Sequence, residues 1–107
     1  AGLAKELVFS GRNMKAQEAF ERGIAVQLFA DKSALIQGAK DYLSSVAKNS
    51  PLAIAMAKKV VDQGMQTTLE QGLELEKGAF AGLFSSYDMK EGTAAFLAKR
   101  PAVFKGE

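Results

Sequence analysis

Cysteine, histidine and tryptophan are absent from this chain, and proline occurs only twice in its 107 residues. Without cysteine there is no disulfide framework, no thiolate zinc site and no thiol nucleophile. Without histidine, the usual general base and the commonest metal ligand are missing as well. Ser-His-Asp chemistry, most zinc enzymes and redox cysteines are therefore excluded. Charge of one sign is also scarce: 14 basic and 12 acidic residues leave a net charge of +2. They are interspersed along the chain, whereas nucleic-acid binders gather Lys and Arg on one face. Apolar runs are short, and none approaches the roughly 18 to 20 residues that a membrane span requires. The opening Ala1-Gly2-Leu3-Ala4-Lys5-Glu6 does not read as a signal peptide, because Glu6 interrupts it and the apolar stretch that follows is too brief. The expectation is a protein of the cytoplasm or an organelle interior, with neither nucleic acid nor membrane as partner.

What is present is globular and helical. The apolar fraction of 48% and the charged fraction of 24% are ordinary for a folded domain. The length allows one small domain, taken here as residues 1–107. Leu3, Leu7 and Val8 share a face of a helix over 2–9, which Ser10-Gly11 stops. This helix has no convincing N-cap and reads like the last turns of a longer one, so upstream sequence is expected. A second helix spans 15–22 and ends at Gly23. Ile24 to Phe29 is rich in branched residues and is the one strand candidate, with no partner strand in sight.

Asp31 or Ser33 is positioned to cap a third helix, whose stripe is Leu35, Ile36, Ala39, Leu43, Val46 and Ala47. Ser50 as N-cap and Pro51 at the first helical position open a fourth helix, running to about Gln63 and stopped by Gly64. Its predicted inner face is Leu52, Ala55, Met56, Val60 and Val61. Thr67 or Thr68 starts the longest segment, to about Phe84, with Leu69, Leu73, Phe80, Leu83 and Phe84 on one side. Asp88 and Glu91 form a D-x-x-E capping box for a last helix over Met89 to Lys99. Pro101 ends it, and the tail from Ala102 is expected to be extended. The fold class is mainly α: five to six helices with at most one short strand.

Few residues suggest chemistry. No glycine-rich phosphate loop exists. Glu70, Glu74 and Glu76 cluster, and Glu70 and Glu74 share a helix face. A carboxylate pair of this kind is capable of acid/base work, but the simpler reading is a solvated face beside Lys77. Phe80, Phe84 and Phe96 fit core packing. Lys99 and Arg100 suit the negative end of a helix dipole. Their functional alternative is a cation pair for a phosphate-bearing ligand, with a phenyl ring offered to a heterocycle.

The order of local phrases adds a family resemblance. Glu6-Leu7-Val8-Phe9-Ser10-Gly11-Arg12, Lys15-Ala16-Gln17-Glu18-Ala19 and Gly23-Ile24-Ala25 resemble successive phrases of the enoyl-CoA hydratase/isomerase (crotonase) family. So do Asn49-Ser50-Pro51-Leu52-Ala53, Leu69-Glu70-Gln71-Gly72-Leu73 and the ending Asp88-Met89-Lys90-Glu91-Gly92 through Ala95-Phe96-Leu97-Ala98-Lys99-Arg100-Pro101. The likeness covers essentially the whole chain, in order.

The resemblance implies the C-terminal helical region of a ClpP/crotonase-like fold. Family members run more than twice this length. Their N-terminal part supplies the oxyanion hole and the catalytic carboxylates, so no catalytic residue is carried over and this segment alone is expected to be inactive. It further implies an acyl-CoA-processing parent, either a hydratase adding water to an enoyl thioester in fatty-acid metabolism or an isomerase of the same family. Coenzyme A enters there as part of the substrate, with no separate cofactor. Helices of this region make much of a trimer interface, so a homo-oligomer is implied. A phenylalanine and a lysine of this region that reach the CoA nucleotide of a neighbouring subunit's site fall by local alignment on Phe80 and Lys99. Met65 and Phe84 follow as weaker candidates for walling the acyl or pantetheine path. The alternative of another class is a non-catalytic helical module that self-associates. If Leu73 is in the core, Leu73→Ala should cost about 2–5 kcal/mol in thermal denaturation.

Overall fold

The computed structural model describes residues 1–107, and every regular element in it is a helix. The helices are α1 (Gly2–Ser10), α2 (Ala16–Glu21), α3 (Lys32–Val46), α4 (Pro51–Gly64), α5 (Leu69–Leu83) and α6 (Tyr87–Leu97). The chain divides into two compact units, Ala1–Tyr42 and Leu43–Glu107. No helix is long and apolar enough to cross a membrane.

In the first unit, α1 ends at Gly11 in the left-handed conformation, and the Gly11 amide donates to the Leu7 carbonyl. Arg12 then fastens the turn. Its guanidinium grips Glu6 at 2.8 and 2.9 Å and Glu18 at 2.8 Å twice, so one planar cation serves two carboxylates. The Arg12 contacts lower the pKa of Glu6 and of Glu18, and both carboxylates raise that of Arg12.

The expected strand at Ile24–Phe29 does not form. Gly23 takes a left-handed φ of 72°, and the Gly23 amide donates to Phe20 while Ile24 and Ala25 donate to the Ala19 carbonyl. These amides complete the end of α2 in a Schellman arrangement and are no longer available for a ladder. Phe29 instead lays its ring against Gly38 of α3, where an added Cβ would force that ring to move. Asp31 caps α3 as expected, its Oδ1 accepting from the Ala34 amide at 2.8 Å.

The second unit is organised around the hairpin of α4 and α5. Ser50 caps α4, accepting from the Ala53 amide, with Pro51 at the first helical position. Thr68 caps α5 in a reciprocal box with Gln71. The two helices run antiparallel, and a Cβ built on Gly72 would lie 3.6 Å from the Gly64 Cα. Leu52, Ala53, Met56 and Val60 of α4 are half-buried, while Ala55 and Val61, expected inward, are exposed.

The last helix starts differently from the predicted box. Its N-cap is Ser86, whose hydroxyl accepts from the Met89 amide at 3.0 Å and donates to the Leu83 carbonyl at 2.7 Å. Asp88 and Glu91 both point away to the tail. The helix ends in a second Schellman turn: Lys99 donates to Phe96, and Arg100 donates to Ala95. Lys99 sits at the left-handed position with φ 51°, the one non-glycine residue there. Leu73 remains 47% exposed. Only part of its side chain leaves water, so Leu73→Ala is expected to cost about 1 kcal/mol rather than a core value. A loss above about 2 kcal/mol in a denaturant titration would contradict this placement.

Candidate functional site

The second unit carries an open cleft of about 370 Å³ between the start of α4, the end of α5, α6 and the tail. Phe80 on α5 and Phe84 at its C-cap are one helical turn apart, so both rings project to the same side. They meet edge-on, with centroids 5.1 Å apart and planes at 82°, a favoured geometry for two phenyl quadrupoles. Ala53, Met89 and Phe104 extend the apolar lining, and Asn49 and Thr93 add polar atoms. Phe80 is 64% exposed, so much of its side chain remains in contact with solvent.

The tail is held to this cleft by two carboxylates. Asp88, only 2% exposed, accepts from the Ser50 hydroxyl at 2.6 Å and from the Lys105 and Gly106 amides at 2.7 and 3.0 Å. Its own amide donates to the Glu107 carbonyl at 3.0 Å. Burial alone pushes the Asp88 pKa up, but the hydroxyl and the two amides outweigh burial and hold it below the ordinary value. Glu91 grips Arg100 through both guanidinium nitrogens at 2.6 and 2.9 Å and accepts from the Val103 amide at 2.9 Å. Arg100 and that amide lower the Glu91 pKa from 4.5 to about 2. Arg100 is thus an internal partner and is not half of a free cation pair.

The sequence candidates are distributed unevenly around this geometry. Phe80 and Phe84 line the cleft, and Lys99 is not among its lining residues. Lys99 lies on the turn after α6, exposed and without an ion pair in this chain. Met65, 84% exposed, sits in the turn between α4 and α5. Glu74 pairs with Lys77 at 2.6 Å, both largely exposed, which is the solvated-face reading of the acidic cluster. The Ser50–Asp88 contact and the role of Phe104 were not anticipated. Ser50 and Asp88 each carry a capping signal, but nothing local joins residues 38 positions apart.

Comparison with known proteins now bears on the whole chain. The family profile described as enoyl-CoA hydratase/isomerase matches residues 1–107. The chain belongs to the enoyl-CoA hydratase/isomerase family. It is 35% identical over 99 residues to a short-chain-enoyl-CoA hydratase of Clostridium acetobutylicum, covering 92% of this chain and 38% of that protein. It is 39% identical over 102 residues to a probable enoyl-CoA hydratase of Rhizobium meliloti, covering 95% and 39%. The crystal structure of enoyl-CoA hydratase from Bacillus anthracis superposes with a TM-score of 0.94 at 37% identity, over 100% of this chain and 41% of that one. The chain therefore spans about two-fifths of the length of these relatives, and its helices are the C-terminal helical region of the crotonase fold.

The enoyl-CoA hydratase/isomerase family thus places the clasped tail inside a fold shared along the whole chain. The clasp has a pH signature. A carboxyl with a lowered folded pKa adds stability above its unfolded pKa and loses it as pH falls through the folded value. For Glu91 that window runs from 4.5 down to about 2, and for Asp88 it opens below the ordinary 3.8. Circular-dichroism melts are expected to show Tm falling in this acid range. Glu91→Gln should lower Tm at neutral pH and flatten the acid slope. An equally steep slope in the variant would refute the assignment.

Proposed function

We propose that this chain is the C-terminal helical portion of an enoyl-CoA hydratase acting on acyl-CoA thioesters. In this reading the helices supply oligomer surface and part of the CoA site, while the segment that polarises the thioester lies outside this sequence. The parent reaction adds water across the C2–C3 double bond. An oxyanion hole stabilises the developing enolate, and carboxylates position the water and move the proton. No residue of this chain is assigned to those steps. An isomerase of the same family is the alternative reaction.

The observation that carries the reading is the likeness along the entire chain to enoyl-CoA hydratases, in sequence and in structure. The chemistry of the two ligand candidates supports it. Phe80 offers a largely exposed aromatic ring beside Phe84, and an aromatic ring is suited to stack on a nucleobase. Lys99 holds an unpaired ammonium in a left-handed turn that glycine would occupy with less strain. An ammonium on such a turn is a compact charge for a phosphate.

A second reading, a non-catalytic self-association module, draws on the apolar side chains left in water. Leu35 and Ile36 of α3, in the first unit, are each 48% exposed, adjacent apolar side chains of the kind that mark an interaction surface. Light scattering at high concentration is expected to show an oligomer, and a clean monomer would count against both the oligomer surface and this module.

The primary test is a calorimetric titration of the 107-residue chain with coenzyme A. Saturable binding is expected, weakened about fivefold to tenfold by Lys99→Ala, as for loss of one exposed charge–phosphate contact. No heat at millimolar ligand would refute a CoA contact in this segment. Binding indifferent to Lys99→Ala would remove the lysine from it.

A further inference from the structure

The tail from Ala102 to Gly106 has no regular secondary structure, yet it is placed with care. Its residues alternate: Ala102, Phe104 and Gly106 are half-buried, and Val103 and Lys105 are exposed. That period of two is the signature of an extended strap with one inner face. The strap does not rest on apolar contact alone. The Val103 amide is held by Glu91, and the Lys105 and Gly106 amides are held by Asp88. Phe104 lies between these fastenings and lines the cleft that Phe80 and Phe84 also line. Its ring lies against α6 at Gly92, where a Cβ would come within 3.4 Å of it. On the outer side, the Lys105 ammonium sits 4.2 Å from the centre of the Tyr87 ring, a further tether. The cleft is thus lined by three phenyl rings, one of them delivered by a strap that two carboxylates seat.

We propose that Phe104 is a specificity-determining residue of this cleft, biasing it toward a planar unsaturated group, and that Asp88 and Glu91 are the positioning residues that seat it. The inference rests on the reading of the cleft as a ligand-contacting surface. Its basis is the quadrupole of the phenyl ring. Aromatic partners gain about 0.5–1.5 kcal/mol over equal apolar area, which converts to roughly twofold to tenfold in affinity. A saturated ring of the same size gains the area and not the electrostatic part. Asn49 and Thr93 stand at the lining to meet a polar substituent.

The test compares phenol with cyclohexanol, two six-membered rings of similar size bearing one hydroxyl, by NMR titration of the whole chain. Amide shifts at Ala53 and Thr93 report the cleft. The wild-type chain is expected to prefer phenol by about threefold to tenfold. Phe104→Leu keeps the apolar bulk and should cut that preference by about threefold, while Phe104→Tyr should retain it. Asp88→Asn leaves Phe104 in place in the sequence and should cut the preference too, with faster hydrogen exchange at the Lys105 and Gly106 amides. If Asp88→Asn does not fold, Glu91→Gln serves, read at the Val103 amide. Equal affinities in the wild type, absence of shifts with either probe, or a preference unmoved by Phe104→Leu would each overturn the assignment to Phe104. Faster exchange with an unmoved preference would overturn the positioning role. Coenzyme A titrated in parallel separates the two readings. If it fails to bind while the phenol preference tracks Phe104, the nucleotide contact falls and this inference stands. If it binds while the preference ignores Phe104, the reverse holds.

Discussion

A single buried carboxylate fixes the second unit of this chain. Asp88 sits in the first turn of α6, where a negative charge suits the helix dipole, and it is almost wholly removed from water. A carboxylate so buried is tolerated only when its lone pairs are engaged. Here they are engaged by three donors: the hydroxyl that caps α4 and two amides of the tail. The start of α4, the start of α6 and the end of the chain are thereby tied at one point. The Ser50 oxygen is shared, accepting from the Ala53 amide while it donates to Asp88. Helix capping and tertiary tethering are therefore one network, and loosening either end loosens the other.

The contrast with the apolar contacts is instructive. Ala95 is the one apolar side chain that is fully buried, and many large apolar groups remain in water. Hydrophobic burial is non-directional and scales with area, so partial burial along α4 and α5 brings helices together without defining the path of an irregular tail. Directional bonds do that work here. Glu91 repeats the device one turn later with Arg100 and Val103, and the spacing of the two carboxylates on α6 sets where Phe104 enters the cleft.

The same bonds decide which side chains stay unpaired. Arg100, one of two adjacent cations, is consumed internally by Glu91, whereas Lys99 is not. Phe80 and Phe84 meet edge-on, and Phe80 remains 64% exposed. Membership of the enoyl-CoA hydratase/isomerase family gives these groups a chemical context. The chain spans about two-fifths of the length of those relatives.

Much of the architecture was legible in the residues. The caps at Asp31, Ser50 and Thr68, the stops at Gly11 and Gly23, and the six helices rest on interactions within about four residues, and such interactions are written in consecutive sequence, although Gly64, expected to stop α4, is its last helical residue and Met65 caps it. The family, too, was legible, from phrases at matching spacing. Legibility ended where partners are distant. Ile24 to Phe29 has the composition of a strand, yet its first amides are taken by the end of α2. Asp88 has the spacing of a helix cap, yet Ser86 fills that role and Asp88 reaches residues 38, 17 and 18 positions away. Leu73 lies on an apolar stripe, yet stays half in water. Local periodicity determines which face of a helix is apolar. Only the packed structure decides what meets that face, because burial and long-range hydrogen bonds depend on where the chain returns in space.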